Sequence, residues 1–182
     1  FKGHEGISRL FEFRVTLVSD RKDLDLEKMV RNPASLVIKH GASIPGSSKR
    51  GIQNLHIHGA LKSFEQTEEG LEGAWYRAIL VPRAWHLSLT VQSRIFMDLT
   101  VPQIVRQVLE DAGFSNGLDF AINESRRYPT REYVVQYNES DLDFISRLCE
   151  HEGMFFYFEH GESEAKLVFG DSNSHFRDIK GD

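Results

Sequence analysis

Residues 133–159, YVVQYNESDLDFISRLCEHEGMFFYFE, hold a strand, a helix and a second strand in direct succession. Tyr133 to Tyr137 reads as the first strand. Ser140 reads as the helix N-cap, and Asp143 in the third position places a carboxylate at the positive end of the helix dipole. Leu142, Ile145, Leu148 and Cys149 share one stripe, and Gly153 ends the helix. Met154 to Glu159 is apolar on both faces, so this strand is expected to be central or covered on both sides.

Working outward, Thr100 and Gln103 form a capping box ahead of a second helical stripe of Val101, Ile104, Val105, Val108, Leu109 and Ala112. Gly113 supplies its stop. On the other side, a polar turn at Gly161 to Glu164 leads to a strand at Leu167 to Phe169, and the polar tail from Asp171 to Asp182 is expected to fray.

The first half has a different period. From Leu10 to Val18 the chain alternates, with Phe11, Phe13, Val15 and Leu17 on one face and Glu12, Arg14 and Thr16 on the other. Further strands are expected at Leu36 to Lys39, at Leu55 to Phe64 with Leu55, Ile57 and Leu61 on one side, and at Ala74 to Val81 with apolar groups on both faces. The last of these ends at Pro82. Gly41 to Gly51 reads as a mobile loop, Glu68-Glu69-Gly70 as a hairpin turn, and Leu24 to Val30 as a short helix stopped before Pro33. The fold class is therefore α+β and mainly β: a small β-barrel over residues 1–92, then an α+β domain over residues 93–182.

A chain of 182 residues with 40% hydrophobic residues and 13 Phe can bury a core without disulfides or a structural metal. A net charge of −5 offers no basic stripe for nucleic acid. No apolar run approaches the roughly 18 residues of a membrane span, and no secretory signal is visible. The chain opens on Phe1 rather than Met and is expected to be an excised piece. A single Cys149 excludes an internal disulfide.

Each candidate for chemistry meets an obstacle. His56 and His58 leave the same face of a strand and could share a zinc, but no third ligand lies nearby in sequence, so solvated strand residues are the simpler reading. Cys149 and His151 could form a thiol–base pair. On a helix, however, two positions apart means roughly 200° around the axis, and Cys149 belongs to the apolar stripe. His151-Glu152 lacks the second His of a zincin. Gly170-Asp171-Ser172 is faintly similar to a lipase nucleophile block but lacks the Gly after Ser172, and reads as a turn. Glu65, Glu68, Glu69 and Glu72 read as a solvated hairpin tip. No glycine pattern cradles a phosphate. The residues thus indicate no enzyme, no catalytic set, no metal and no cofactor; function by surface is the reading that survives. The competing reading, a metal- or cysteine-dependent hydrolase, would rest on His56 with His58, or on Cys149.

Two long segments resemble a known family. One is Pro82-Arg83-Ala84-Trp85-His86-Leu87 with Ser93-Arg94-Ile95-Phe96 and the helix from Val101 to Gly113. The other runs from Tyr128-Pro129-Thr130-Arg131 through Gln136-Tyr137-Asn138-Glu139-Ser140-Asp141 and Phe144 to Gly153, into Phe155-Phe156-Tyr157-Phe158. Phe1 to Ser8 and Phe11 resemble the same family's opening strand. These are similar to the phage-hub-like front part of VgrG, the Rhs/Vgr spike proteins of type VI secretion.

The resemblance implies a β-barrel followed by an α+β baseplate-like insert, with a structural rather than catalytic role. In the whole protein it implies a homotrimer seated on the Hcp tube, and an OB-type domain and needle beyond this region that lead to effectors or a tip protein. It further implies assembly in the bacterial cytoplasm and secretion into the medium or a target cell, the target membrane being crossed only as an assembly. No binding residues follow from it. The alternative within the same architecture is the tail or baseplate hub of a contractile phage or phage-derived particle.

Overall fold

A computed structural model describes residues 1–43 and 50–176, with backbone only at 40–43 and 50–53. The chain divides into two compact units. The first comprises Phe1–Glu5, Leu10–Arg83 and His160–Ala165; the second comprises Gly6–Arg9, Ala84–Glu159 and the chain from Lys166 onward.

The first unit is built on one five-stranded sheet. Its strands are β1 (Lys2–Gly6), β2 (Arg9–Ser19), β3 (Pro33–Ser43), β4 (Arg50–Glu69) and β5 (Ala74–Val81), in the order β1-β2-β5-β4-β3. A closed barrel would need its outer strands paired. Among the described residues β1 and β3 are the two edges, so the part of the expected barrel that is seen is one five-stranded half-barrel sheet. Register shifts in β4 between Leu61 and Ser63 and between Gln66 and Glu68 mark irregularities of the kind that bend a long strand.

The alternation that identified β2 holds where the core needs it: Phe11 and Phe13 are buried, while Leu17 is exposed. Ile57 is buried but Leu55 is exposed, and in β5 Ala74, Tyr76, Ala78 and Leu80 point inward while Trp75 and Arg77 do not. The apolar groups expected on both faces of β5 thus serve one face chiefly. Tyr76 stacks on Phe64 at 5.3 Å and its hydroxyl donates to the Arg21 carbonyl at 2.9 Å, so its polar tip is satisfied. The turn after β4 closes through the Gly70 N–H and the Gly73 carbonyl, close to the hairpin read from Glu68-Glu69-Gly70. Helix α1 (Leu26–Arg31) is capped by Asp25. β3 reaches Ser43 and β4 begins at Arg50, so the strands intrude on the expected Gly41–Gly51 loop; residues 44–49 lie outside the described residues.

The second unit packs two helices with two small sheets. β6 (Val91–Leu99) pairs antiparallel with β8 (Arg131–Ser140). β7 (Phe120–Ile122), β10 (Ala165–Gly170) and β9 (Phe155–His160) form the sheet β7-β10-β9. Helix α2 (Val101–Asp111) carries the expected capping box between Thr100 and Gln103. Helix α3 (Asp141–Glu152) is capped by Ser140, which accepts from the Asp143 N–H at 3.1 Å, and ends at Gly153 with φ +68°. That left-handed conformation is the reason a glycine ends the helix there. Helix α2 buries Val101, Ile104, Val105, Val108 and Leu109 of its stripe while Ala112 is exposed, and α3 buries Ile145, Leu148 and Cys149 while Leu142 is half-buried.

β9 is an edge of its sheet yet is covered on both faces. Phe156 packs on Phe169 at 5.7 Å and Phe155 stacks on Phe176 at 4.7 Å. Its outer edge is occupied too, since the Ser8 N–H donates to the Phe156 carbonyl at 2.7 Å. Residues 171–176 hold a short 3-10 turn at Asn173–His175 where fraying was expected; the tail beyond Phe176 lies outside the described residues.

Candidate interaction surface

The sequence candidates for chemistry are held apart or otherwise engaged. His56 and His58 stack at 5.9 Å, as two positions on one strand face must, and His58 Nε2 contacts the Glu162 carbonyl at 2.9 Å. No group of three His, Cys, Asp or Glu among the described residues could hold a metal. Cys149 is buried, and burial pushes its thiol up to about 12, far from the thiolate a nucleophile needs. His151 is exposed, and its Nδ1 lies 3.1 Å from the Arg131 guanidinium. At the acidic hairpin tip, Glu65 pairs with Arg77 at 3.0 Å and Glu69 with Lys22 at 3.7 Å.

Asp171 is no part of a nucleophile block; it is an anchor. Its carboxylate accepts from the Ser125 N–H at 2.9 Å and from the Tyr128 hydroxyl at 2.8 Å, with His175 Nδ1 at 3.5 Å. Burial alone would raise its pKa. The Ser125 and Tyr128 hydrogen bonds outweigh that and hold the carboxyl below the usual range. Tyr128 is pushed up to about 12, chiefly by burial and further by the carboxylate it bonds. Residues 125–128 are thereby tied to the end of β10.

A second polar network sits beneath the β6–β8 pair. Arg94 Nη2 meets Asp141 Oδ1 at 2.6 Å, and Arg94 Nε donates to Gln136 Oε1 at 2.9 Å. Gln136 Nε2 donates in turn to Asp141 Oδ1 at 2.9 Å, and Gln92 Nε2 to Asp141 Oδ2 at 3.2 Å. Arg94 also reaches Asp111 in the last turn of α2 at 3.3 Å. Gln136 and Asp141 are buried, so each polar group is satisfied inside the fold. This network locks β6, β8, α2 and the start of α3 into one frame. Period and capping rules assign Asp141 no role; its partners Arg94 and Gln92 lie 47 and 49 residues away.

The frame presents an apolar face. Phe96 and Val134 point inward with Gln136, while Ile95, Met97, Tyr133 and Tyr137 are 65% to 79% exposed. Ile95 is paired with Val135 and Met97 with Tyr133, so these side chains stand side by side on one surface. A contiguous group of large apolar and aromatic side chains on a rigid sheet is the composition of a protein–protein contact. β6 was not recognised as a strand from sequence because its most apolar residues lie on this outer face. No helix among the described residues is long and apolar enough to cross a membrane.

The fold is mainly β, with an exposed apolar face on the β6–β8 pair. The chain belongs to the phage tail baseplate hub (GPD) family, whose profile matches residues 4–182. It is 42% identical over 177 residues to the type VI secretion system spike protein VgrG4b of Pseudomonas aeruginosa, covering 97% of this chain and 20% of that protein. Spike protein VgrG1a of the same organism is 37% identical over 171 residues, with 94% and 25% covered. This chain therefore spans about a fifth to a quarter of these relatives.

Among solved structures, the E. coli c3393 protein matches with TM-score 0.81 and 28% identity over 97% of this chain and 46% of that one. It is described as a component of the type VI secretion system with structural similarity to the T4 bacteriophage tail proteins gp27 and gp5. A chain of the Francisella PdpA–VgrG complex shares the fold, with TM-score 0.65 at 10% identity over 93% of this chain and 26% of that one. The resemblance drawn from residues 82–158 is upheld.

Proposed function

We propose that this chain is the front part of a type VI secretion spike hub, acting structurally rather than as an enzyme. In this reading residues 1–92 form the tail-hub-like part and residues 93–182 the baseplate-like part. The whole protein assembles as a homotrimer in the bacterial cytoplasm and docks on the Hcp tube. It is then secreted with its effectors into the medium or a target cell, crossing the target membrane only as that assembly. The observation that carries the reading is the identity to spike proteins along 97% of the chain. The apolar face of β6 and β8 on its ion-paired frame supports it, because a part that transmits thrust needs stiff contact surfaces rather than a reactive pocket.

The test is a pull-down of Hcp by the full-length protein and, in parallel, by this chain. Retention of Hcp by the full-length protein is expected, and its failure to associate refutes the docking role. Light scattering during size-exclusion chromatography checks the accompanying expectation that this chain alone is a monomer or associates weakly; a stable trimer refutes that part.

A further inference from the structure

One face of the first unit's sheet carries residues in the phase of a core whose margin is uncovered among the described residues. Phe13 pairs with Leu80 and Leu17 with Tyr76; Leu61 also pairs with Leu80, Leu36 with Ile57 and Ile38 with Leu55. Paired residues share a face, and so do alternate residues along a strand, so one apolar surface runs from β2 across β5 and β4 to β3. Its centre is sealed: Phe13, Ile57, Tyr76 and Leu80 are buried. Its margin is not: Leu36 and Leu61 are half-buried, and Leu17 and Leu55 are 40% and 50% exposed. Met29 of α1 and Leu17, Leu36 and Leu61 of the sheet border an apolar hollow of about 310 Å³. Residues 44–49 and 177–182 supply only Ile44 and Ile179 as large apolar side chains, too few to seal it.

We propose that a strand-forming segment of the same polypeptide, beyond Asp182, pairs with the outer edge of β3 and sets its apolar side chains into this hollow, completing the core at Leu17 and Leu55. The proposal rests on the reading of this chain as the front part of a longer protein. The chain spans about a fifth to a quarter of the spike proteins it matches, so in those relatives most of the polypeptide lies outside the matching part. Among the described residues β3 is an edge, and an edge strand is a template for one strand more. The hollow offers almost no polar group, which suits apolar side chains of a permanent cover. A two-fold pair of copies fits it poorly, because symmetry would set two identical hollows face to face with nothing projecting into either. A covalently linked segment also has the advantage of a high effective concentration.

The test is photo-crosslinking of the full-length protein with benzoylphenylalanine in place of Leu17 or, in a second variant, Leu55. Trp75, exposed on the opposite face of the sheet, is the control position. Crosslinks from positions 17 and 55 are expected on one segment beyond residue 182, in a product that keeps the mass of a single chain on a denaturing gel. Position 75 should not capture that segment. Attachment to a second copy, to another protein or within residues 1–182 overturns the proposal, as does capture of the same segment from position 75 or no crosslink from positions 17 and 55. Hydrogen exchange of the full-length protein is the second measure. Leu17→Asp, at a position the sheet leaves exposed, should speed exchange in the captured segment at least about tenfold while β5 keeps its protection; unchanged exchange in that segment overturns the proposal. Neither readout involves Hcp, so a failure of docking and a failure of this proposal are separately visible.

Discussion

Truncating Asp141 to Ala removes the acceptor shared by Arg94, Gln136 and Gln92. The carboxylate is 3% exposed and the Arg94 side chain 19%, so the deletion leaves a guanidinium that water reaches poorly. Breaking a buried ion pair by removing one partner costs about 3–5 kcal/mol. Arg94 keeps Asp111 and some solvent, and Gln136 keeps the Glu139 carbonyl, which puts the loss at the lower end, about 3 kcal/mol. For a chain of this size that corresponds to a fall of roughly 6–12 °C in melting temperature.

The assay is urea unfolding followed by Trp85 fluorescence in a Trp75→Phe background, which leaves one tryptophan, in the second unit. Asp141→Asn keeps an acceptor and should cost about half as much. The double variant Arg94→Met with Asp141→Leu should recover stability relative to Asp141→Ala, because an apolar pair leaves no stranded charge. A loss below about 1 kcal/mol for Asp141→Ala, or strict additivity of Arg94→Met and Asp141→Leu in the cycle, refutes the claim that this network locks the frame.

Three further outcomes follow from the same structure. Because the folded-state pKa of Asp171 is depressed, its stabilisation is present above the ordinary carboxylate pKa of about 4 and is lost as pH falls through the lower folded value. Asp171→Asn should therefore flatten the acid limb of a melting-temperature profile below about pH 4, and an unchanged limb counts against the anchor. Cys149, buried and raised to about 12, should react with a thiol reagent at pH 8 on the order of a thousandfold more slowly than a free thiol, read by absorbance; rapid labelling of the folded chain contradicts its burial. Replacing exposed Ile95 and Tyr133 with Glu should change unfolding free energy by only about 0.5 kcal/mol each, yet reduce assembly of the full-length protein in size-exclusion chromatography; intact assembly removes this face from the contact surfaces.

The helices were legible because their signals are local. Thr100 with Gln103, Ser140 with Asp143 and the terminal Gly153 are capping chemistry, and each behaves as a short peptide pattern dictates. β6 and β7 were not legible. β6 turns apolar residues outward, against the rule that apolar marks inside, and β7 is three residues long. Of the barrel expected over residues 1–92 a five-stranded half-barrel sheet is seen; alternation identifies its strands but does not say which edges meet.

Sequence by itself determined the periods, the caps and, through the long matching segments, the family. Tertiary structure alone decided three things: that the buried Asp141 is the acceptor for Arg94, that Asp171 anchors residues 125–128, and that Ile95, Met97, Tyr133 and Tyr137 converge on one exposed face. The physical reason is range. Capping and amphipathic periodicity act over three or four neighbours, whereas Arg94 with Asp141 and Ser125 with Asp171 are 47 and 46 residues apart and meet only after the chain has folded.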